Sequence, residues 1–229
     1  MGRLTRLSLL RVVITNWGLP VLIVVGLLLG VKSVVTADPA PSSSELATYL
    51  QSNKISVGTD IQNGYQQIYY SYKGQKIFIT NDSFNHAFAS ASGATVIWEG
   101  TTISGGQIYA YNLLSKTLIQ LTATGTNQEP FVYQNYVVWR SWDGNHWQVY
   151  YYDGVTIAQV TRDAHSSVHA STDGKQIVYA EELAPHDWKA QAYDIATAAT
   201  HTIREGDEAS TAFPSINPTG NVTTQFIPF

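Results

Sequence analysis

The sequence predicts an all-β fold: a β-propeller of about four repeats of roughly 41 residues, behind one N-terminal transmembrane helix. Three observations carry this. The chain repeats itself in register. Its best strands are apolar on both faces. Its N-terminus is an apolar run behind a basic flank. The expected boundaries are 1–37 for a signal anchor or signal peptide, 38–54 for a Pro/Ser linker and short helix, and 55–229 for the propeller.

"MGRLTRLSLLR" is a basic flank, and "WGLPVLIVVGLLLGV" (Trp17–Val31) is the apolar run. The wider window Val12–Val35 approaches the ~20 residues that span a bilayer. "VTA" (Val35–Ala37) offers a signal-peptide cleavage point, but the long flank favours an uncleaved anchor. Arg3, Arg6 and Arg11 place the N-terminus inside and the rest outside the cytoplasm. "DPAPSSS" is a linker, and "SSSELATYLQSNK" reads as a short helix with Ser44 as its N-cap.

Next comes the repeat. "ATVIW" ends at Trp98, "NYVVW" at Trp139 and "KQIVY" at Tyr179, 41 and 40 residues apart. "IYAYN", "VYYYD" and "AQAYD" place Tyr111, Tyr152 and Tyr193 at 41-residue intervals. "LIQLT" and "IAQVT" close at Thr122 and Thr161, and "ATHTI" at Ile203. The third unit reads as four strands, Phe131–Tyr133, Tyr136–Ser141, Trp147–Tyr152 and Thr156–Thr161. Asp143-Gly144, Asp153-Gly154 and Asp173-Gly174 supply turns. In "WQVYYYD" both parities are apolar, whereas a strand with one wet face would alternate. Such a strand suits a sheet between two sheets, so most Trp and Tyr, Trp139 among them, are expected in the core. The Tyr65–Thr80 segment offers two outer strands and Phe213–Phe226 two inner ones. Together they are expected to close the ring as a composite blade.

"STDGKQIVYAEE" with "KAQAYDIATAATHTI", and "NYVVWRSWDGNHWQVYYYDGVTIAQVT", resemble the repeats of TolB-like, WD-type β-propellers of the exported or surface-layer kind. The resemblance covers about Ile61–Val222 and implies the propeller fold. Thr172 stands where the family turn has proline, and the chain has no room for the N-terminal α/β domain of TolB itself.

Composition excludes some chemistry. There is no cysteine, hence no disulfide, thiolate metal site or cysteine nucleophile. From Asp38 onward nine basic residues face seventeen acidic ones, a formal charge of −8. Nucleic acid is therefore not an expected partner. The nucleophile-elbow, zinc-protease, phosphate-loop and EF-hand signatures are absent, so no cofactor, metal or catalytic residue is expected. His165 and His169 are four apart, a spacing that shares a face on a helix but not here.

Topology leaves one constellation. The loops from fourth strands to the next first strands open at the same end as the loops between second and third strands. They carry Asp82, Asn85 and His86; Asn127, Gln128 and Glu129; Asp163 and His165; Asp207 and Glu208; Trp142, Asp143, Asn145 and His146; and His186, Asp187 and Trp188. The expected ligand rim is Glu129, Trp142, Asp143, His146, Asp163, His165, His186 and Asp187. The expected function is a membrane-tethered extracytoplasmic module that binds a protein or an envelope polymer without catalysis. A structural cell-surface component, and a carbohydrate-active or peptidase-associated module, are the alternatives.

Overall fold

Side-chain parity decides how the repeats stack. A computed structural model describes residues 40–185, 187–205 and 210–228 of the chain. The expected signal anchor and the first two linker residues, 38 and 39, lie outside the described residues. Along Trp147–Tyr152, Tyr150 and Tyr152 pack with Ile97, Ile108 and Trp139 on one side. Val149 and Tyr151 pack with Ala170, Ile177 and Tyr179 on the other. One strand thus feeds two cores, as its double apolar parity predicts.

Five antiparallel sheets follow in chain order. The first has three strands, β1 (Ser56–Gln62), β2 (Tyr65–Tyr72) and β3 (Gln75–Phe78). The second has β4 (His86–Ser92), β5 (Thr95–Thr102), β6 (Gly105–Asn112) and β7 (Thr117–Gln120). The third has β8 (Asn127–Tyr133), β9 (Tyr136–Trp142), β10 (Trp147–Tyr152) and β11 (Ile157–Gln159). The fourth has β12 (Ser167–Thr172), β13 (Gln176–Ala184), β14 (Asp187–Asp194) and β15 (Ala199–Arg204). The fifth has only β16 (Ser210–Ile216) and β17 (Val222–Pro228). Contacts join each sheet to the next, and the inner strands β4, β8, β12 and β16 each lie against the sheet before. Trp98, Trp139 and Tyr179 occupy the same register in successive sheets and are 1%, 1% and 2% exposed.

The ends depart from the expected composite blade. β1, a weakly apolar strand with only Val57 and Ile61 as large aliphatics, already fills the second-strand place beside β2. The first sheet therefore lacks only its innermost strand, and β17 would duplicate β1. Among the described residues no strand of the first sheet pairs with one of the fifth. The helix α1 (Ser43–Ser52) is capped by Ser42, not Ser44. Glu45 stands three residues after Ser42 and returns its carboxylate to the Ser42 N–H, 2.8 Å away, completing a capping box. Leu46 carries α1 onto Tyr72, Val96 and Leu113. No described helix is long and apolar enough to cross a membrane.

Candidate functional site

Three glutamine–threonine pairs fix the loops at one end of the stack. Gln67, Gln107 and Gln148 are buried near the starts of β2, β6 and β10. Their amides donate to loop carbonyls: Gln67 to Asp82 and Phe84 at 3.0 Å, Gln107 to Gly125 at 2.8 Å, and Gln148 to Asp163 at 3.0 Å. The next residue's N–H donates to a threonine that closes the sheet: Ile68 to Thr80, Ile108 to Thr122, Val149 to Thr161. Buried amides need partners, and here the partners are the loop backbone itself. The fourth sheet has Lys189 at the corresponding place instead. The recurring Gln before "IY" or "VY" and the Thr after the fourth strand were the sequence signal for this clip. Of the two, only the threonine stands in the repeat described from the sequence.

Gln148 also donates to Asp143 Oδ2 at 3.2 Å, so the Asp143 turn and the Asp163–His165 loop share that end. Asp143 itself is a turn residue. Its Oδ1 accepts from the N–H groups of Asn145 and His146, both at 2.8 Å, which hold the carboxyl below its ordinary range. His146 is half-buried beside it. Trp142 is 40% exposed and meets Trp147 edge-on, ring centroids 5.3 Å apart. Trp147 in turn lies under the Arg140 guanidinium at 4.2 Å.

Arg140 leads to Glu129. The guanidinium Nη2 is 3.0 Å from Glu129 Oε1 and donates to Gln128 Oε1 at 2.9 Å. The other Glu129 oxygen receives His169, its ring Nδ1 at 3.3 Å and its backbone N–H at 3.4 Å. Both residues sit at bulges of inner strands with left-handed backbones, φ 54° for each, and Phe88 holds the same place in β4 at φ 53°. Left-handed geometry at non-glycine residues is costly and marks a constrained place. Burial lowers the His169 pKa, Glu129 opposes this and Arg140 adds to it. Glu99, on the preceding sheet, is raised by burial, and its Oε2 has no hydrogen-bond partner. Arg140 and Glu99 stand outside the expected rim, and His169, which the sequence offers only as a neighbour of His165, meets Glu129 instead. A bulge on a strand of ordinary composition gives no local signal.

The remaining rim residues divide. His165 Nδ1 lies 3.3 Å from Glu181, which also receives Lys189 at 3.1 Å and Gln191 at 2.9 Å. Burial works to raise Glu181, and Gln191, Lys189 and His165 overcome it, so it is held low. Asp187 opens β14 opposite Ala184, and Asp163 offers its backbone carbonyl to Gln148. His186, Asp207 and Glu208 lie outside the described residues. His86 is buried as a link, accepting from Trp98 Nε1–H at 3.1 Å and reaching Asp82 at 3.0 Å. Among the described residues no three His, Asp or Glu side chains are placed to hold a metal ion.

No protein-family model and no curated protein sequence matches the chain. Solved structures do. TolB from Acinetobacter baumannii is 20% identical with a TM-score of 0.51, over 72% of this chain and 44% of that one. A putative TolB from Agrobacterium tumefaciens is 17% identical with a TM-score of 0.52, over 76% of this chain and 71% of that one. The Pyrococcus horikoshii acylaminoacyl peptidase is 12% identical with a TM-score of 0.53, over 70% of this chain and 28% of that one. The chain shares the TolB-like propeller fold. At these identities the likeness is one of fold, and the chain spans less than half the length of the first of these structures.

Proposed function

We infer that the chain is a membrane-tethered, extracytoplasmic propeller that binds a protein or an envelope polymer at the end carrying Trp142, without catalysis. The observation that carries this reading is the Trp142–Trp147–Arg140–Glu129 run. An exposed indole stands on a braced aromatic and ionic floor, at the end where the clipped loops gather. An exposed aromatic backed by rigid neighbours makes a good binding anchor at small entropic cost. The likeness to TolB structures supports a binding propeller, and the basic flank before the apolar run supports the tether and its direction.

Two measurements test the reading. Protease added outside intact cells should remove the propeller, and a fully protected C-terminus would refute the topology. Trp142→Ala in the full chain should weaken capture of envelope components by at least about tenfold, which is 1.4 kcal/mol. Unchanged capture by a folded variant would remove Trp142 from the binding surface.

A further inference from the structure

The same end has a second, chemically different corner. Ile61, Tyr65, Phe84 and Ile103 are large apolar side chains left exposed there, Ile103 completely so. They stand on three turns knitted together. The Gln66 N–H donates to the Asn85 side chain at 2.9 Å, the Thr101 N–H to the Asn85 carbonyl at 2.8 Å, and the Asn63 amide to Asn81 at 3.2 Å. The patch is thus a fixed surface. Behind Phe84 opens a cavity of about 160 Å³, walled by His86, Trp98, Tyr109, Thr102 and Leu118. Trp98 and Tyr109 are stacked, 5.7 Å apart and 11° from parallel, so one wall is a continuous aromatic face. The space suits a single apolar side chain. Exposed apolar side chains gathered on linked turns and rimmed by polar groups are the features of an interaction site.

The surrounding charge selects the partner. Asp82, Asp143, Asp163 and Asp187 belong to this end. Of its cations, Arg140 and Lys189 are already set against Glu129 and Glu181, and the exposed Arg162 stands next to Asp163 in the chain. The region from Asp38 onward carries a formal charge of −8. Such a surface repels an anionic lipid headgroup and attracts Lys or Arg. α1, through which the chain enters the described region, packs at the opposite end, against Leu113 and Tyr72. We propose that this corner docks a protein segment whose apolar side chain fills the cavity behind Phe84 and whose flanking lysines or arginines face the acidic loops. The proposal rests on the reading of this end as the binding end and names the chemistry of the partner.

The test uses the full chain in phosphatidylcholine nanodiscs and a displayed library of random peptides. Enriched peptides should carry Leu, Ile or an aromatic within a few residues of Lys or Arg. Their binding should weaken with salt, and by at least about tenfold in the double variant Phe84→Ser, Ile103→Ser, with the same fold by circular dichroism. Acidic or uncharged winners, no enrichment, or indifference to the double variant would each overturn it. A third arm addresses a lipid surface. With the anchor's Trp17 replaced by Phe in both, the Ile103→Trp variant should show no more quenching by brominated lipid in the disc than its Ile103 parent, and added quenching would replace the peptide by the membrane. Failure is separable from that of the broader reading. If Trp142→Ala loses envelope capture while the corner variant keeps it, only the corner proposal falls. If neither variant loses it, the binding end itself is wrong.

Discussion

The second and third sheets place a tryptophan at the same point and treat its indole differently. Trp98 donates its N–H to His86, which is held by Asp82. Trp139, equally buried, has no partner for its N–H, because Asn127 stands where the second sheet has His86. The exchange is not of one residue alone. His86 pairs across the strands with Gly100, whose missing side chain leaves the imidazole its room, whereas Asn127 pairs with Ser141. Both rings stack on a cross-strand tyrosine, Tyr109 or Tyr150. The repeat therefore conserves the apolar fit of the ring and lets its polar fitting vary. Burial of the aromatic surface outweighs an unmade hydrogen bond, which costs about 1–3 kcal/mol.

The largest test breaks each tryptophan in turn. Trp139→Ala should cost about 3–5 kcal/mol in chemical denaturation. Trp98→Ala should cost more, because it also strips His86 Nδ1 of its donor. Equal losses would mean that the His86 link contributes nothing. The next test crowds one sheet only. A Cβ on Gly100 would lie 2.8 Å from the Tyr109 ring and 2.9 Å from His86 Nδ1. Gly100→Ala should therefore cost about 1–3 kcal/mol. Ser141→Ala in the third sheet should stay within about 0.5 kcal/mol. A smaller effect comes from acid. Burial holds folded His169 below its ordinary 6.5, so the unfolded chain takes its proton first as pH falls. The stability linked to His169 is present above about 6.5 and is lost as pH drops through the folded value. His169→Gln should flatten that part of the stability–pH curve, and an unaltered curve would assign the acid loss elsewhere. Among the tryptophans the smallest effect belongs to Trp142. Its removal should change stability by less than about 1 kcal/mol, against the several expected for Trp139. Unfolding of Trp142→Ala would make it core and end its place at the rim.

These contrasts follow what the sequence could show. Trp98, Trp139 and Tyr179 were legible as core because strand register repeats every 40 or 41 residues and their neighbours are apolar. The third strands were legible because both parities of "WQVYYYD" are apolar. β1 was not, because only Val57 and Ile61 on its Val57-Thr59-Ile61 parity are strongly apolar, and burial runs against that parity, with Thr59 and Ile61 exposed and Asp60 and Gln62 half-buried. The helix cap slipped by two residues because three consecutive serines all suit an N-cap, and only the reach of Glu45 chooses among them. Within the rim, topology correctly brought Asp143 and the Asp163–His165 loop to one end. It could not foresee that Glu129 is gripped from both sides. That grip depends on bulges that give Glu129 and His169 left-handed backbones, which neither residue type advertises.

The glutamine clips have a further consequence, for how such a chain can change. Each clip ties the third strand to the closing threonine and to the loop that follows. The stretch between that threonine and the next inner strand is 81–85 after Thr80 and 162–166 after Thr161, but only 123–126 after Thr122. The shorter loop leaves the strand pairing of its sheet intact, with Trp139 still opposite Tyr150 as Trp98 is opposite Tyr109. Insertions and deletions in these loops are thus insulated from the cores. A lineage could remodel what this surface presents, one loop at a time, without relearning how to fold.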